Sequence, residues 1–241
     1  MNIEQHLARR DRINGRYTIK GRVGNGWEGV TYRVLDRLDG RLKAVKFITN
    51  NDRRRALLSE ARVLVRLQHP NIIDYYSVDT LELEGEIHYF LLVEYLRGPR
   101  LSEVIARHFR KSRKPPLFRG LRIFNQICRG MAYVHDRRLL HDDLHAENII
   151  LTGNPAAPVP KLFDFWGSRA GRRADRRSFD LRCSGQVLFE IMTGRLEYRP
   201  RDLARLPDEV AAIIRKAHAR VHKYRTFHEI LADLERLRDW D

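Results

Sequence analysis

The stretch His141–Leu151, HDDLHAENIIL, constrains this chain more than any other part of its sequence. In it, Asp143 stands five positions before Asn148, and three aliphatic residues follow at once. A second short apolar run closes on Asp164. Carboxylate and amide oxygens suit Mg²⁺, which completes its shell with phosphate oxygens and water. The pattern predicts a loop leading into a hairpin, with metal ligands Asn148 and Asp164 at its two ends and Asp143 beside them as a base.

Glycines recur at three spaced positions near the N-terminus, between two runs in which apolar and polar residues alternate as in strands. Glycine allows backbone N–H groups to approach phosphate oxygens, because no Cβ stands in the way. No helical pattern follows the third glycine, whereas a dinucleotide-binding fold opens a helix at that point. The segment therefore predicts a strand–loop–strand unit that covers phosphates, made of Val23, Gly24, Asn25, Gly26 and Gly29.

A lysine and a glutamate stand where neighbouring elements can bring them together. Lys46 lies in a predicted strand, residues 42–48, that follows an Asp-Gly turn signal. The next apolar period predicts a helix over residues 54–67, and Glu60 lies beside its apolar face, within reach of Lys46. Alone, each charge also fits a solvated surface position, so their pairing depends on the rest of the chain.

In chain order, the motifs resemble those of eukaryotic-type Ser/Thr protein kinases. HDDLHAEN is similar to the kinase catalytic loop His-Arg-Asp-Leu-x-x-x-Asn, and the Asp-Phe pair at Asp164 to the Asp-Phe-Gly motif. Residues 44–46 resemble the Val-Ala-Ile-Lys strand motif, residues 67–73 resemble Leu-x-His-Pro-Asn-Ile-Val, and residues 178–185 resemble the helix that anchors the large lobe. The resemblance extends over roughly residues 17–235, nearly the whole chain.

The resemblance implies an α+β fold of the bilobal, protein-kinase-like type. A small β-rich N-lobe with one helix would precede a larger, mostly helical C-lobe. We expect a single kinase-like domain over residues 1–241, with the N-lobe at about 13–94, a hinge at about 94–98 and the C-lobe at about 99–241. The polar residues 1–15 are expected to form a short leading helix or arm.

The same resemblance implies ATP as the cofactor, with Mg²⁺ or Mn²⁺. The glycine segment would cover the phosphates, and Lys46, held by Glu60, would contact the α- and β-phosphates. Backbone groups of the hinge, at Glu94 and Leu96, would hydrogen-bond the adenine. These residues form the implied nucleotide-binding set.

The resemblance also implies catalytic roles for residues of the stretch His141–Leu151 and for Asp164. Asp143 would orient the attacking hydroxyl and accept its proton, and Asn148 and Asp164 would hold the metal. His145 stands where Ser/Thr kinases usually have the lysine that contacts the transferred phosphate. Asp180, in the anchoring helix, would tie down the backbone of the catalytic loop. Pseudokinases usually lose one of the principal elements, and none is missing here.

Several residues depart from the kinase pattern. Asp142 replaces the arginine that would clamp a phosphorylated activation loop, which argues against control by such a phosphate. Trp166 replaces the glycine of Asp-Phe-Gly. Only 16 positions separate Asp164 from Asp180, without an Ala-Pro-Glu motif, so the shelf for a peptide substrate is nearly absent. An arginine cluster in its place suggests a solvated loop or a dock for an acidic substrate or phosphorylated group; its members are Arg169, Arg172, Arg173, Arg176 and Arg177.

Three functions stay open at this point. The first is an active ATP-dependent kinase for Ser or Thr hydroxyls of protein, including its own Ser168 or Ser178. The second is a phosphotransferase for small hydroxylated molecules, like the aminoglycoside kinases, which His145, Trp166 and the missing shelf favour. The third is a nucleotide-binding scaffold without catalysis. The closeness of the glycine loop, the His-Pro-Asn segment and the anchoring helix to protein kinases favours the first.

The composition of the chain limits the partners and the cellular compartment that we expect for it. The chain has 241 residues, a formal net charge of +15 and a pI near 10.3, which favours acidic partners. Protein substrates, some of them acidic, fit this charge, whereas no motif supports nucleic-acid binding. No apolar run is long enough for a membrane span and no signal peptide is evident, so a cytoplasmic location is expected. Cys128 and Cys183 fall in helical patterns and are expected to be buried thiols.

Overall fold

The computed structural model describes residues 3, 6–26, 29–48, 54–111, 116–165, 173–219 and 223–237. The chain divides into two compact units, the first made of residues 1–68 with 73–96 and the second of residues 69–72 with 97–241. Within the described ranges, no helix is both long and apolar enough to cross a membrane.

The first unit is built on a six-stranded antiparallel sheet with the order β1-β2-β3-β4-β6-β5. One helix, α1 (Arg54–Leu64), contacts β5 and β6 through its apolar face. Burial alternates along most of β3, as expected for a strand with one face on a core, whereas five of the seven residues of β4 are buried. The strands are β1 (Arg12–Ile13), β2 (Tyr17–Gly26), β3 (Gly29–Asp36), β4 (Leu42–Ile48), β5 (Tyr75–Leu83) and β6 (Glu86–Glu94).

The described residues of the N-terminal segment pack into this unit's core, so they do not form an arm that leaves it; residues 1, 2, 4 and 5, on which a leading helix would fall, lie outside the described ranges. Ile3 and Ile13 are fully buried in the sheet's hydrophobic cluster, and Leu7 packs against it. Ile13 pairs with Tyr17 across β1 and β2. Two isoleucines in a polar stretch carry too weak a pattern to predict this packing.

The apolar residues from Ile72 to Val78 predict a strand, and the structure places that strand further along the chain. It begins at Tyr75 and runs to Leu83 as β5. Ile72 instead forms a parallel bridge with Leu162, whose N–H donates to the carbonyl of Asn71 at 2.9 Å. Residues 69–72 therefore belong to the second unit, although the sequence continues into a strand of the first.

The second unit is mostly helical, with one small hairpin. The long helix α3 packs against two other helices and the hairpin, and its apolar stripe is buried as predicted. Cys128 on α3 is buried, whereas Cys183 is only partly buried, contrary to expectation. The elements are α2 (Leu101–Lys111), α3 (Leu117–Asp136), β7 (Ile149–Asn154), β8 (Ala157–Leu162), α4 (Arg173–Thr193), α5 (Asp208–His218) and α6 (Phe227–Glu235).

Candidate active site

The glycine-rich segment forms the tip of the β2–β3 hairpin. The two strands pair as far as Gly26 opposite Gly29, and residues 27–28 lie outside the described ranges. A Cβ on Gly29 would lie 1.8 Å from the carbonyl oxygen of Phe47, so the sheet itself requires glycine there. At Gly24, no atom lies within 4 Å of a Cβ, so the fold does not require its glycine.

Two other residues of this segment, Val23 and Asn25, were also predicted to contact the phosphates. The side chain of Val23 is about half exposed on β2, at 52 %. The side chain of Asn25 lies outside the described part of the structure. Gly24 and Val23 are therefore the members of the predicted phosphate-covering set whose surroundings leave room for a ligand.

Lys46 and Glu60 form the ion pair that the sequence predicts. Lys46 lies on β4 opposite Thr31 of β3, and Glu60 is a buried residue of α1. The Lys46 Nζ lies 3.2 Å from Glu60 Oε2, with both side chains largely shielded from solvent. A partly buried pair holds a lysine in one geometry better than an exposed pair does, because water screens the charges less. The contact, though not the role, is confirmed.

The first unit ends at the residues predicted to bind adenine. The N–H of Glu94, at the end of β6, donates to the carbonyl of Asp74 at 2.9 Å. The carboxylate of Glu94 accepts a hydrogen bond from the N–H of Asp74 at 3.2 Å. Leu96, two residues on, is buried. The Glu94 amide is therefore engaged within the unit, and its carbonyl and the Leu96 backbone are the groups proposed for a nucleotide.

Asp180 fixes the catalytic loop of the second unit, as the sequence predicts. This fully buried residue of α4 accepts hydrogen bonds from the N–H groups of His141 at 3.0 Å and Asp142 at 2.9 Å. The oxygen that accepts from His141, Oδ2, also lies 2.9 Å from His135 Nε2, at the end of α3. One carboxylate thus joins the loop to both long helices, which accounts for its place in the predicted anchoring helix.

Asp142 has a partner that sequence reasoning missed. Its backbone has a φ of 68°, and its buried carboxylate pairs with both Nε and a terminal nitrogen of Arg176 on α4. The two residues are separated by 34 positions, so no helix or hairpin spacing links them. The only sequence signal was the unusual acid itself, and it did not identify which arginine would meet it.

Asp143, His145 and Asn148 meet at one point of the loop. The Asn148 Nδ2 lies 3.2 Å from Asp143 Oδ2, 3.0 Å from the Asp143 carbonyl oxygen and 3.0 Å from His145 Nε2. His145 Nε2 lies 3.4 Å from Asp143 Oδ2. Asn148 is buried, whereas Asp143 and His145 remain partly exposed. A fixed carboxylate with an exposed edge is suited to accept a proton from a substrate hydroxyl.

The β7–β8 hairpin brings the two predicted metal ligands to its open end. Ile149 pairs with Leu162, and the N–H of Phe163 donates to the Asn148 carbonyl at 3.2 Å. Asp164 follows at once, with a φ of 65°. In the described residues, no donor is recorded on Asn148 Oδ1 and no cluster of three acidic, His or Cys side chains forms a metal site of its own. These two oxygen donors fit Mg²⁺ that shares its shell with phosphates.

His141 and Phe165 form a buried contact beneath these groups. Their rings lie 4.4 Å apart between centroids, and the N–H of Asp143 donates to His141 Nδ1 at 3.3 Å. Burial lowers the pKa of His141, although the carboxylates of Asp180, Asp164 and Asp143 oppose that shift. The imidazole is therefore a neutral part of the support for the loop rather than an exposed base.

The structure describes only some of the residues that depart from the kinase pattern. Trp166, Ser168, Arg169 and Arg172 lie outside the described residues, as does the side chain of Arg173. Arg176 and Arg177 are half-buried and contact the interior, Arg177 through the carbonyl of His135 at 3.3 Å. These two arginines are therefore not part of a freely solvated loop.

Comparison with known families agrees with this geometry. The family model described as the protein kinase domain matches residues 17–184. The chain belongs to the protein kinase family. That match runs from β2 into α4 and includes every predicted site residue. The Ser/Thr protein kinase resemblance predicted from the sequence is confirmed, and so is its α+β bilobal fold class.

Individual relatives are distant and much longer than this kinase chain. Serine/threonine-protein kinase PrkC of Bacillus subtilis is 26 % identical over 95 % of the chain and 42 % of its own length. Serine/threonine-protein kinase ATG1c of Arabidopsis thaliana is 27 % identical over 78 % of the chain and 28 % of its own length. The chain thus spans less than half of these relatives.

A solved structure supports the fold at lower sequence identity. The crystal structure of the Mycobacterium tuberculosis PknI kinase domain has a TM-score of 0.74 at 19 % identity and covers 95 % of this chain. In the other direction, the match covers 99 % of the PknI domain structure.

Proposed function

We propose that the chain is an ATP-dependent protein kinase that transfers the γ-phosphate to Ser or Thr hydroxyls of protein. The observation that carries this proposal is the geometry at Asp143, whose carboxylate is held 3.2 Å from Asn148 Nδ2 and keeps an exposed edge. Family membership supplies the reaction class, because protein kinases generally use ATP with Mg²⁺.

In the proposed reaction, Asp143 orients the substrate hydroxyl and accepts its proton. The hydroxyl oxygen forms a bond to the γ-phosphorus as the bond from that phosphorus to the bridging β–γ oxygen breaks, and ADP leaves. Bound Mg²⁺, held by Asn148 and Asp164, would offset charge on the β- and γ-phosphates. His145, beside Asp143, would contact the transferred group. Positioning and charge carry such a transfer, since the protein makes no covalent intermediate.

The first unit would bind the nucleotide. Lys46, oriented by Glu60 at 3.2 Å, would contact the α- and β-phosphates. Gly24, which lacks a structural need for glycine, would let the hairpin backbone approach the phosphates. Backbone groups at Glu94 and Leu96 would hydrogen-bond the adenine. The net charge of +15 favours acidic protein substrates, and a cytoplasmic location stays a prediction.

The test is transfer of labelled γ-phosphate from ATP with Mg²⁺ or Mn²⁺, to the chain itself and to a generic protein substrate. We expect label on protein, abolished in Asp143→Ala with ATP affinity kept, and reduced in Lys46→Ala with ATP affinity weakened. Asp136→Ala is a matched control, because Asp136 is an exposed aspartate whose carboxylate contacts only His228 among the described residues. Transfer that survives in Asp143→Ala would sink the assignment of the base.

Two other results would replace the proposal. ATP consumed only when small hydroxylated compounds are added would identify a small-molecule phosphotransferase, which the shortened segment between Asp164 and Asp180 accommodates. Nucleotide binding without any turnover would identify a scaffold. Both results are read from the same assay, because ADP release and protein label are measured together.

A further inference from the structure

The Asp142 carboxylate lies in a setting that a solvated loop residue would not have. Its side chain is 2 % exposed, and Arg176 binds both of its oxygens, with Nε 3.0 Å from Oδ1. A fork of two parallel N–H donors fixes a carboxylate in orientation as well as in charge. The cation that binds it comes from the first turn of α4, not from the loop itself.

The backbone at this residue is also unusual. Asp142 has a φ of 68°, in the left-handed region that non-glycine residues rarely adopt. Such a conformation persists only where its surroundings over-determine it, and residues of this kind cluster at functional sites. Here α4 supplies both restraints, since Asp180 accepts the Asp142 N–H at 2.9 Å and Arg176 binds the Asp142 side chain.

The next residue along the chain is Asp143. Its backbone direction is set by the dihedral angles of Asp142, and its N–H donates to His141, which Asp180 also holds. Asp180 alone fixes two backbone amides but leaves the rotation of the Asp142 side chain free. The Arg176 contact removes that freedom. A shift of about 1 Å at a group that aligns substrate can cost roughly 100-fold in rate.

We propose that Arg176 is a positioning residue of this kinase, which sets the geometry of Asp143 through its ion pair with Asp142. The inference rests on the proposed function and adds a part to it. It also gives a reason for an acid at residue 142, because a carboxylate can take a fixed internal arginine as its partner. The segment between Asp164 and α4 then needs no added phosphate to hold the loop.

The test is a double-mutant cycle of Asp142→Asn, Arg176→Met and the double variant, with kcat for phosphate transfer, ATP affinity and thermal stability measured for each. We expect both single variants to lose about 10- to 100-fold in kcat with ATP affinity within about threefold of wild type. The double variant leaves no buried charge unpaired, so it should regain stability without regaining kcat.

Two further variants separate positioning from folding. Arg176→Lys keeps the charge but loses the fork, so it should fold normally and still lose at least about fivefold in kcat. Arg182→Met removes an exposed guanidinium of the same helix, which lies over the Phe179 ring, and should leave kcat within about threefold.

Results that would overturn this inference can be distinguished from results that would overturn the proposed function. Full kcat in the double variant, or an unchanged kcat in Arg176→Lys, would show that the pair only balances a buried charge and would overturn the inference. A kcat loss in Arg182→Met as large as that in Arg176→Met would also overturn it. A wild-type chain that transfers nothing overturns the proposed function together with this inference, whereas an active wild type with unaffected variants overturns the inference alone.

Discussion

Asn148 uses the two ends of its amide for different purposes. Its Nδ2 contacts Asp143 and His145, at distances of 3.0 to 3.2 Å. The amide oxygen, on the opposite branch, is the atom proposed for the metal. One buried side chain would therefore couple metal binding to the orientation of the base.

Replacing Asn148 by Ala should raise the Mg²⁺ concentration for half-maximal transfer by about tenfold or more and lower kcat as well. The change removes the oxygen proposed to bind the metal and the amide N–H group that contacts Asp143. A magnesium titration of transfer at saturating ATP measures both effects. Asn125→Ala is the matched control, because Asn125 is a buried asparagine on α3 whose Oδ1 accepts from Arg129 at 2.9 Å. An equal magnesium shift in that control would contradict the metal role.

Single residues also show which parts of the site a sequence can reveal. Asp143, Asn148 and Asp164 were predictable because their spacing along the chain is tied to a loop and a hairpin. Arg176 was not, since its contact with Asp142 depends on how α4 packs against the loop. Tertiary pairs of this kind leave no periodic mark in one sequence.

At the scale of elements, the β2–β3 hairpin contains two glycines with different reasons for being glycine. At Gly29 an added Cβ would collide with the backbone of β4, whereas at Gly24 it would meet nothing within 4 Å. The sequence pattern treats the two positions alike, so this distinction comes from the structure alone.

Gly29→Ala should therefore destabilise the fold by about 2–3 kcal/mol, because a strand must move to admit the methyl group. Gly24→Ala should change the unfolding free energy by less than about 0.5 kcal/mol and weaken ATP binding instead. Chemical denaturation and nucleotide titration of both variants give the comparison. The two variants control for each other, and a large stability loss in Gly24→Ala would refute the separation.

Elements with strong local signals were predicted closely. The strand at residues 42–48 was found as β4 without change, because a turn signal just before it marks where it begins. The helix predicted to Leu67 ends as α1 at Leu64, and β5 begins three residues later than expected. Both differences lie on either side of residues 69–72, which belong to the second unit. Which unit a short segment joins is decided by partners that are distant in sequence.

At the scale of the whole molecule, most of the described charged side chains are at the surface, but the first unit also contains a buried network of charged side chains around Asp36. Asp36 is fully buried and accepts hydrogen bonds from Arg16 at 2.7 and 2.9 Å, Lys43 at 2.6 Å and the Leu38 N–H at 3.0 Å. The hydrogen bond from Arg16 contributes most to lowering the pKa of this carboxyl below its usual range; burial opposes the shift and Lys43 adds to it.

This pKa shift predicts how stability depends on pH. The carboxyl has a lower pKa in the folded chain than in the unfolded chain, so its contribution is complete above about pH 4 and is lost as pH falls toward the folded pKa. Asp36→Asn should cost about 3 kcal/mol at pH 7, since it leaves a buried lysine short of a partner.

Urea unfolding of wild type and Asp36→Asn at pH 7, 5 and 3 measures the effect, and the gap between them should shrink at the lowest pH. Asp39→Asn, which changes an exposed partner of the same lysine, serves as the control and should cost much less. A gap that stays constant from pH 7 to 3 would show that the network does not titrate with Asp36.

The fold as a whole could be predicted because many weak motifs occur in the order typical of protein kinases. Each motif alone would also fit an ordinary structural position. The order of the motifs did not predict the burial of Ile3, since no sequence pattern near residue 3 indicates a core position. It also could not supply the Asp36 network, whose three partner residues come from the turn before β2 (Arg16), the turn after β3 (Leu38) and β4 (Lys43).

The bonds from Asp180 to the loop have a consequence for hydrogen exchange. The amides of His141 and Asp142 lie in a segment without regular secondary structure, yet both donate to a fully buried carboxylate on α4. Amides held in this way exchange with solvent deuterium only when the structure that holds them opens. These two loop amides should therefore exchange at the slow rate of α4, as members of one cooperative opening unit rather than of a surface loop.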